Sequence, residues 1–218
     1  MKNIIAIDGP AASGKGTLSR NLAKELNFAH MDTGALYRAV AFEVLKQGKN
    51  PANEGDALYG CKALKGNLHN ASPLSNPDLR TEEIGDAASK VASIQSVRDF
   101  LTDMQRDFAN SPPFGFNGAI LDGRDIGTII CPNAPLKLYI TAKCEIRANR
   151  RMKELQSKGL SVTYEAVLED MRARDARDSN RKVAPLKPAA DCVIIDSSNL
   201  SEAKMLETAL TYAKKAFG

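Results

Sequence analysis

A three-layer α/β fold, with a parallel sheet covered by helices on both faces, is what this chain predicts. Three observations carry it. Short apolar runs alternate with helical segments from one end to the other. The first run, Ile4 to Ile7, breaks at Asp8-Gly9-Pro10 into small residues ahead of a helix. The turn between them spells G-x-x-x-x-G-K through Gly9, Gly14 and Lys15.

That turn is the first functional signal. Small residues let successive backbone N–H groups converge on phosphate oxygens, while the lysine reaches the outer phosphates and the helix start adds its positive end. A nucleotide triphosphate site is therefore expected over Gly9, Pro10, Ala11, Ala12, Ser13, Gly14, Lys15, Gly16 and Thr17. The motif usually places a Ser or Thr directly after the lysine. Here Gly16 stands there, and Thr17, one place later, is the candidate hydroxyl on the metal side.

The 218 residues, 43% hydrophobic, suffice for one core with a small insert. No apolar run approaches the roughly 20 residues that span a bilayer, and the motif follows the first residues so closely that no removable signal is expected. A soluble, cytoplasmic chain is the expectation. Cys61, Cys131, Cys144 and Cys192 form no C-x-x-C pair and are expected to be reduced, small and buried. His30 and His69 are too few and too far apart for a metal site; His30 could line a cleft, but a structural role is the expected one. The net charge of +4 is modest, and the arginines that thicken between Arg147 and Arg181 show no pattern of aromatic interleaving, Tyr164 being the one aromatic residue among them, so nucleic acid is not the expected partner.

In chain order, Leu18, Leu22 and Leu26 recur at helical spacing and predict a first helix from Lys15 to Leu26. Phe28 to Met31 predicts a short strand. Asp32 or Thr33 can cap a helix running to about Gln47, with Gly48 after it. Thr33 and Tyr37 share a face near its start with Arg38 alongside, which would suit a phosphorylated substrate or, equally, an ordinary surface. Residues 50–77 are irregular, with one helical piece around Asp56 to Lys65, and HNASPLSNPD reads as loop. Two helices are expected between Thr81 and Asn110, meeting near Ser93 to Ser96. Spacing alone gives Ser89 and Arg98 no role.

Ala119 to Leu121 predicts a buried strand that ends in Asp122-Gly123-Arg124-Asp125. A carboxylate at the end of a parallel strand beside a phosphate loop suits a magnesium-organising role; a plain turn is the alternative. Leu136 to Thr141 is a further strand, followed by a charged helix with Arg147, Arg150 and Arg151. Ser157-Lys158-Gly159 interrupts it. Tyr164 to about Arg177 is another helix, leading into RDARDSNR. There Arg174, Asp178 and Arg181 would share a face and point into a cleft, or else lace an exposed helix with internal ion pairs. A last strand is expected over Cys192 to Ile195 and a last helix over Ser201 to Ala216.

IDGPAASGKGT, MDTGALYRA, DGRDIGT, RDARDSNR, VAPL and AADCVIID, in that order, resemble the bacterial cytidylate kinases, a P-loop nucleoside monophosphate kinase family. The resemblance spans nearly the whole chain except roughly residues 50–81. It implies that family's three-layer fold in one domain: a core over 1–49, 111–150 and 182–218, a short monophosphate-binding insert with helices over 50–110, and a lid with arginine-rich helices over 151–181. In many members the insert carries extra strands; here it is short and proline-rich and predicts none.

The resemblance also implies an activity, transfer of the γ-phosphoryl group of ATP to CMP or dCMP with Mg2+. Gly9 to Thr17 with Arg150 and Arg151 would bind ATP. Thr33, Arg38, Arg124 and Arg181 would surround the CMP phosphate, with Tyr37 flanking the nucleotide. Ser89, Arg98 and Asp125 would meet the cytosine, and Arg174 and Asp178 the sugar. Lys15, Arg124, Asp122 and Arg181 are the candidate catalytic residues, with Thr17 and Asp122 toward the metal. A monomer is expected. A different small P-loop kinase, acting on AMP, UMP or another metabolite, is the nearest alternative, and a nucleotide-dependent switch or nucleic-acid-binding module a more distant one.

Overall fold

The computed structural model describes residues 2–67, 74 and 76–218. Strand β1, Ile4–Asp8, is followed by α1, Lys15–Leu26; β2, Ala29–Asp32; α2, Thr33–Lys46; and α3, Glu54–Asn67. Then come a 3-10 turn at Pro77–Arg80, α4, Glu82–Val91, and α5, Gln95–Asn110. The rest is β3, Ala119–Gly123; a π-helical turn, Ile126–Ile130; β4, Leu136–Thr141; α6, Cys144–Ser157; α7, Tyr164–Asn180; β5, Val193–Asp196; and α8, Glu202–Phe217.

The chain forms two compact units, Met1–Met31 with Phe108–Gly218, and Asp32–Asp107. The first holds the sheet, ordered β2-β3-β1-β4-β5, and its β1–β3, β1–β4 and β4–β5 pairs run parallel. Successive residues of a strand point to opposite faces, so β1 serves two cores. Ile5 and Ile7 pack with Leu18 and Leu22 of α1 and Met205 and Ala209 of α8. Ile4 and Ala6 pack with Leu121, Ile126, Ile130 and Ala109 on the other side. A third cluster, Ala148, Leu155, Val167 and Met171, joins α6 to α7, and Ala11 and Ala12 of the phosphate loop lie against it.

In the second unit α2 packs on α3 and α4. Gly60 permits the close approach, since a Cβ there would lie 2.6 Å from the Val40 carbonyl oxygen. Among the described residues of 50–110 no strand forms, as the sequence predicted. The expected helical piece starts earlier and ends later than Asp56 to Lys65, because the Asn53 side chain accepts from the Asp56 N–H and opens the helix at Glu54. Of the loop expected over 69–78, residues 69–73 and 75, and so His69, lie outside the described residues.

Two further differences stand out. The expected helix from Tyr164 runs on to Asn180, and no element was foreseen after DGRD, where the π-helical turn forms. Of the cysteines, Cys61 and Cys131 are buried as expected, whereas Cys144 and Cys192 are partly exposed; all four are free thiols. Burial pushes the Cys61 thiol up to about 11. No helix among the described residues is long and apolar enough to cross a membrane.

Candidate active site

β1 delivers the chain into the phosphate loop, and only glycine fits its first position. Gly9 has φ +152, and a Cβ on it would stand 2.0 Å from the Ile140 carbonyl oxygen on neighbouring β4. Ala12 (φ +55) and Gly14 (φ +88) also take the left-handed region, the backbone pattern by which a loop can turn successive N–H groups toward an anion. Gly14 is the cap residue of α1, and it forms no side-chain cap, so the first turn's N–H groups face the loop. The Lys15 ammonium donates to the Pro10 carbonyl at 3.3 Å, which folds the lysine back over the loop. Gly16 and Thr17 follow inside α1, and the Arg20 guanidinium donates to the Thr17 hydroxyl at 3.3 Å.

Beside it, β3 ends in the acidic and basic cluster. Strand register pairs Ile7 with Asp122 and Asp8 with Gly123, so the loop and the DGRD segment leave adjacent strands at the same level. Asp8 is buried and accepts from the Ile126 and Gly127 N–H groups, both at 2.8 Å, which fastens the π-helical turn to the loop's base. Burial pushes its carboxyl up to about 6, against the pull of those two N–H groups. Asp122 is buried too, and its carboxylate accepts from His30 Nε2 at 2.6 Å. His30, read from sequence as structural, thus touches a candidate catalytic carboxylate; no spacing signal could find a pair 92 residues apart.

Arg124 Nε donates to Asp178 at 2.9 Å. Burial alone would raise the Asp178 carboxyl, but the Arg124 guanidinium, with Arg174 and Arg181 adding to it, holds it below the ordinary carboxylate value. Asp178 is buried and pairs with a residue of another segment, which an exposed helix laced only by internal ion pairs would not do. Arg181 lies 3.7 Å from Asp125, itself buried. It does not extend the α7 face as its spacing suggested: it caps the helix in extended backbone (φ −62, ψ 139) and donates from Nε to the Ala184 carbonyl. Arg150 donates to the Ser197 hydroxyl at 3.0 Å and carbonyl at 2.6 Å, and Arg151 pairs with Glu154.

The remaining candidates sit in the second unit. Asp32 caps α2 by accepting from the Ala35 N–H, which sets Thr33 and Tyr37 on the helix's buried side. The Arg98 guanidinium lies 5.7 Å from the Tyr37 ring centroid and donates to the Ala92 carbonyl, so these two candidates meet. Arg38 donates to the Leu79 and Thr81 carbonyls, and the Ser89 hydroxyl to the Gly85 carbonyl. Arg147, which spacing left without a role, is buried and donates to Ala11 of the phosphate loop.

No group of three or more metal-ligating side chains occurs among the described residues. Asp122 and Thr17 offer hard oxygen donors, which suits an ion such as Mg2+ that takes most of its ligands from phosphates and water.

Comparison with known proteins agrees with the geometry. A family model described as cytidylate kinase matches residues 5–215. The chain is 52% identical to a cytidylate kinase from Paramagnetospirillum magneticum, over 96% of this chain and 97% of that protein. It is 52% identical to one from Rhodospirillum rubrum, over 95% of each. Solved structures of an uncharacterized protein from Eubacterium ventriosum (TM-score 0.51, 14% identity, 97% of this chain and 98% of that one) and a sugar kinase from Janibacter sp. (TM-score 0.50, 13% identity, 98% and 95%) share the fold.

Proposed function

The chain belongs to the cytidylate kinase family, transferring the γ-phosphoryl group of ATP to CMP or dCMP, and we propose that the phosphate loop is its donor site and Arg124 and Arg181 its main acceptor-phosphate contacts. The register between β1 and β3 carries this reading, because it sets the Lys15 loop and the Arg124 segment side by side at the strand ends.

Phosphoryl transfer asks little covalent help from protein: donor and acceptor must be aligned, water excluded and charge spread. The acceptor is itself a phosphate oxygen. With a second pKa of about 6, a phosphate monoester is already largely dianionic at neutral pH, so no strong general base is required. Lys15 holds the donor's outer phosphates, and the loop N–H groups take the others. Arg150 and Arg151 reach ATP by exchanging Ser197 and Glu154 for phosphate. Thr17 and Asp122 would hold Mg2+, which when bound would supply positive charge to offset that of the donor phosphates.

On the acceptor, Arg124 and Arg181 take the phosphate; Thr33, Arg38 and Tyr37 are the second unit's own candidates for the nucleotide, carried by the family resemblance. Arg174 and Asp178 take the sugar. Asp125 reads the base: cytosine offers an amino donor where uracil offers a carbonyl, so a carboxylate suits the first and repels the second; Ser89 and Arg98 are the second unit's own candidates for the base. We take the protein to act on small nucleotides as a cytoplasmic monomer, and the modest net charge of +4 disfavours nucleic acid as the partner.

A coupled assay of ADP release with ATP and Mg2+ against CMP, dCMP, UMP and AMP tests the reading. CMP and dCMP are expected to be the best acceptors. Preference for AMP or UMP would move the protein to another small-kinase activity.

A further inference from the structure

A loop that turns its N–H groups inward to phosphate must turn carbonyls outward, and each needs a donor. Four of these carbonyls have one: Pro10 from Lys15 Nζ, Ala11 from Arg147 Nη1 at 3.3 Å, Ser13 from the Ser197 hydroxyl at 2.8 Å, and Gly14 from the Leu18 N–H. Lys15 and Leu18 belong to the loop's own helix. Arg147 and Ser197 come from elsewhere, and Arg147 alone of these leads onward to an acceptor-side helix.

Arg147 lies in the first turn of α6 with only 5% of its surface exposed. Its Nε donates to the Ala142 carbonyl at 2.9 Å, and Nη1 and Nη2 grip the Asp175 carboxylate at 3.1 and 2.5 Å. That fork is a geometry lysine cannot copy. Asp175 sits on α7, three residues before Asp178, the partner of Arg124. Apolar packing follows the same route, since Ala11 and Ala12 rest on the cluster that joins α6 to α7. The peptide that Arg147 holds leads directly into Ala12, in the left-handed region.

We propose that Arg147 is a positioning residue coupling the donor loop to α7, so that a triphosphate in the loop raises affinity for the acceptor monophosphate. The inference rests on the donor and acceptor assignments above. Its three nitrogens are committed to Ala142, Ala11 and Asp175, so Arg147 acts through the loop carbonyl and the helix, not on the transferring phosphate.

The test is calorimetric titration of the full chain with CMP, without and with a saturating non-hydrolysable ATP analogue and Mg2+. A coupled wild type should bind CMP roughly 5- to 150-fold more tightly with the analogue present. Arg147→Met should bring that ratio to about 2 or below, with Arg147→Lys keeping the charge but not the fork and recovering only part. Asp175→Asn, which keeps shape and removes the ion pair, should also lower it and serves if Arg147→Met does not fold. A wild-type ratio of one overturns the proposal, as does a folded Arg147→Met and Asp175→Asn pair with wild-type ratios. Lys15→Ala and Asp178→Ala separate the two levels. If these leave analogue and CMP binding intact, the assignments fail; if they weaken binding while Arg147→Met keeps the ratio, only the coupling fails.

Discussion

His30 Nε2 stands 2.6 Å from Asp122 Oδ2, joining β2 near its start to β3 near its end. A carboxylate only accepts, so Nε2 carries the hydrogen and holds one oxygen of Asp122 in place. The side chain of Asp122 is 5% exposed and that of His30 17%, so this bond has little water competing for it. Such outer partners orient the groups that meet a metal, and their removal typically costs about 10- to 100-fold in metal affinity. His30→Ala is expected to weaken Mn2+ binding to the complex with a non-hydrolysable ATP analogue by roughly tenfold. His30→Gln, which keeps a donor, should recover part of it. Electron paramagnetic resonance of bound Mn2+ measures this, and equal affinity in wild type and His30→Ala would remove His30 from the site.

On the proposed donor assignment, Lys15 supplies the charge aimed at the donor's outer phosphates. Lys15→Ala should lower kcat by roughly 10^2- to 10^3-fold, the scale for one preorganised electrostatic contact. Its circular dichroism and Tm should stay near wild type, because the Lys15 side chain is partly exposed at the loop and not part of the packed core. Near-normal turnover would contradict the donor assignment.

Asp125 is assigned to the cytosine amino group. Asp125→Asn should narrow the ratio of kcat/KM for CMP over UMP by about tenfold, in line with one hydrogen-bonded base contact. The ratio, not either rate, is the informative quantity, since Arg181 also faces this carboxylate. An unchanged ratio would assign base reading to another side chain.

Asp8 gives a pH dependence with a definite sign. Its carboxyl is raised in the folded chain to about 6 from an ordinary 3.8, so the folded state binds this proton more tightly than the unfolded state. The stability gained in this way is fully present below about pH 4 and is lost as pH rises through about 6, on the order of 3 kcal/mol in total. Urea unfolding from pH 4.5 to 7 should show wild type losing stability relative to Asp8→Asn as pH rises. A pH-independent difference would show that Asp8 titrates normally.

The fold was legible wherever local pattern decides. α1 is bounded by the Gly14 turn and by Asn27 in the left-handed region, and its leucine spacing located it correctly. β4 was equally plain, since Leu136, Leu138 and Ile140 face one core in an apolar run bounded by Pro135 and Ala142. The π-helical turn was not legible, because its N–H groups are met by Asp8, more than a hundred residues earlier. Arg181 misled for a related reason: its spacing fits a helix, but its hydrogen bond to Ala184 and the Leu186 N–H bond to Asp178 turn the chain away there. At the site, the motifs named residues but not their contacts. His30–Asp122, Arg147–Asp175 and Arg124–Asp178 join distant segments, and periodicity has no access to that distance.

If Arg124 and Arg181 take the acceptor phosphate as proposed, the pairing of Arg124 with Asp178 and of Arg181 with Asp125 has a consequence for selectivity against simple anions. A guanidinium already gripping a carboxylate is poor bait for orthophosphate, which would have to dislodge an anchored counter-charge and offers nothing else in return. A nucleotide brings a ribose and a base to occupy the displaced acids, so only the complete molecule makes the exchange favourable. The same pairs that look like internal bonds thus keep the arginines from being blocked by the commonest phosphate around them.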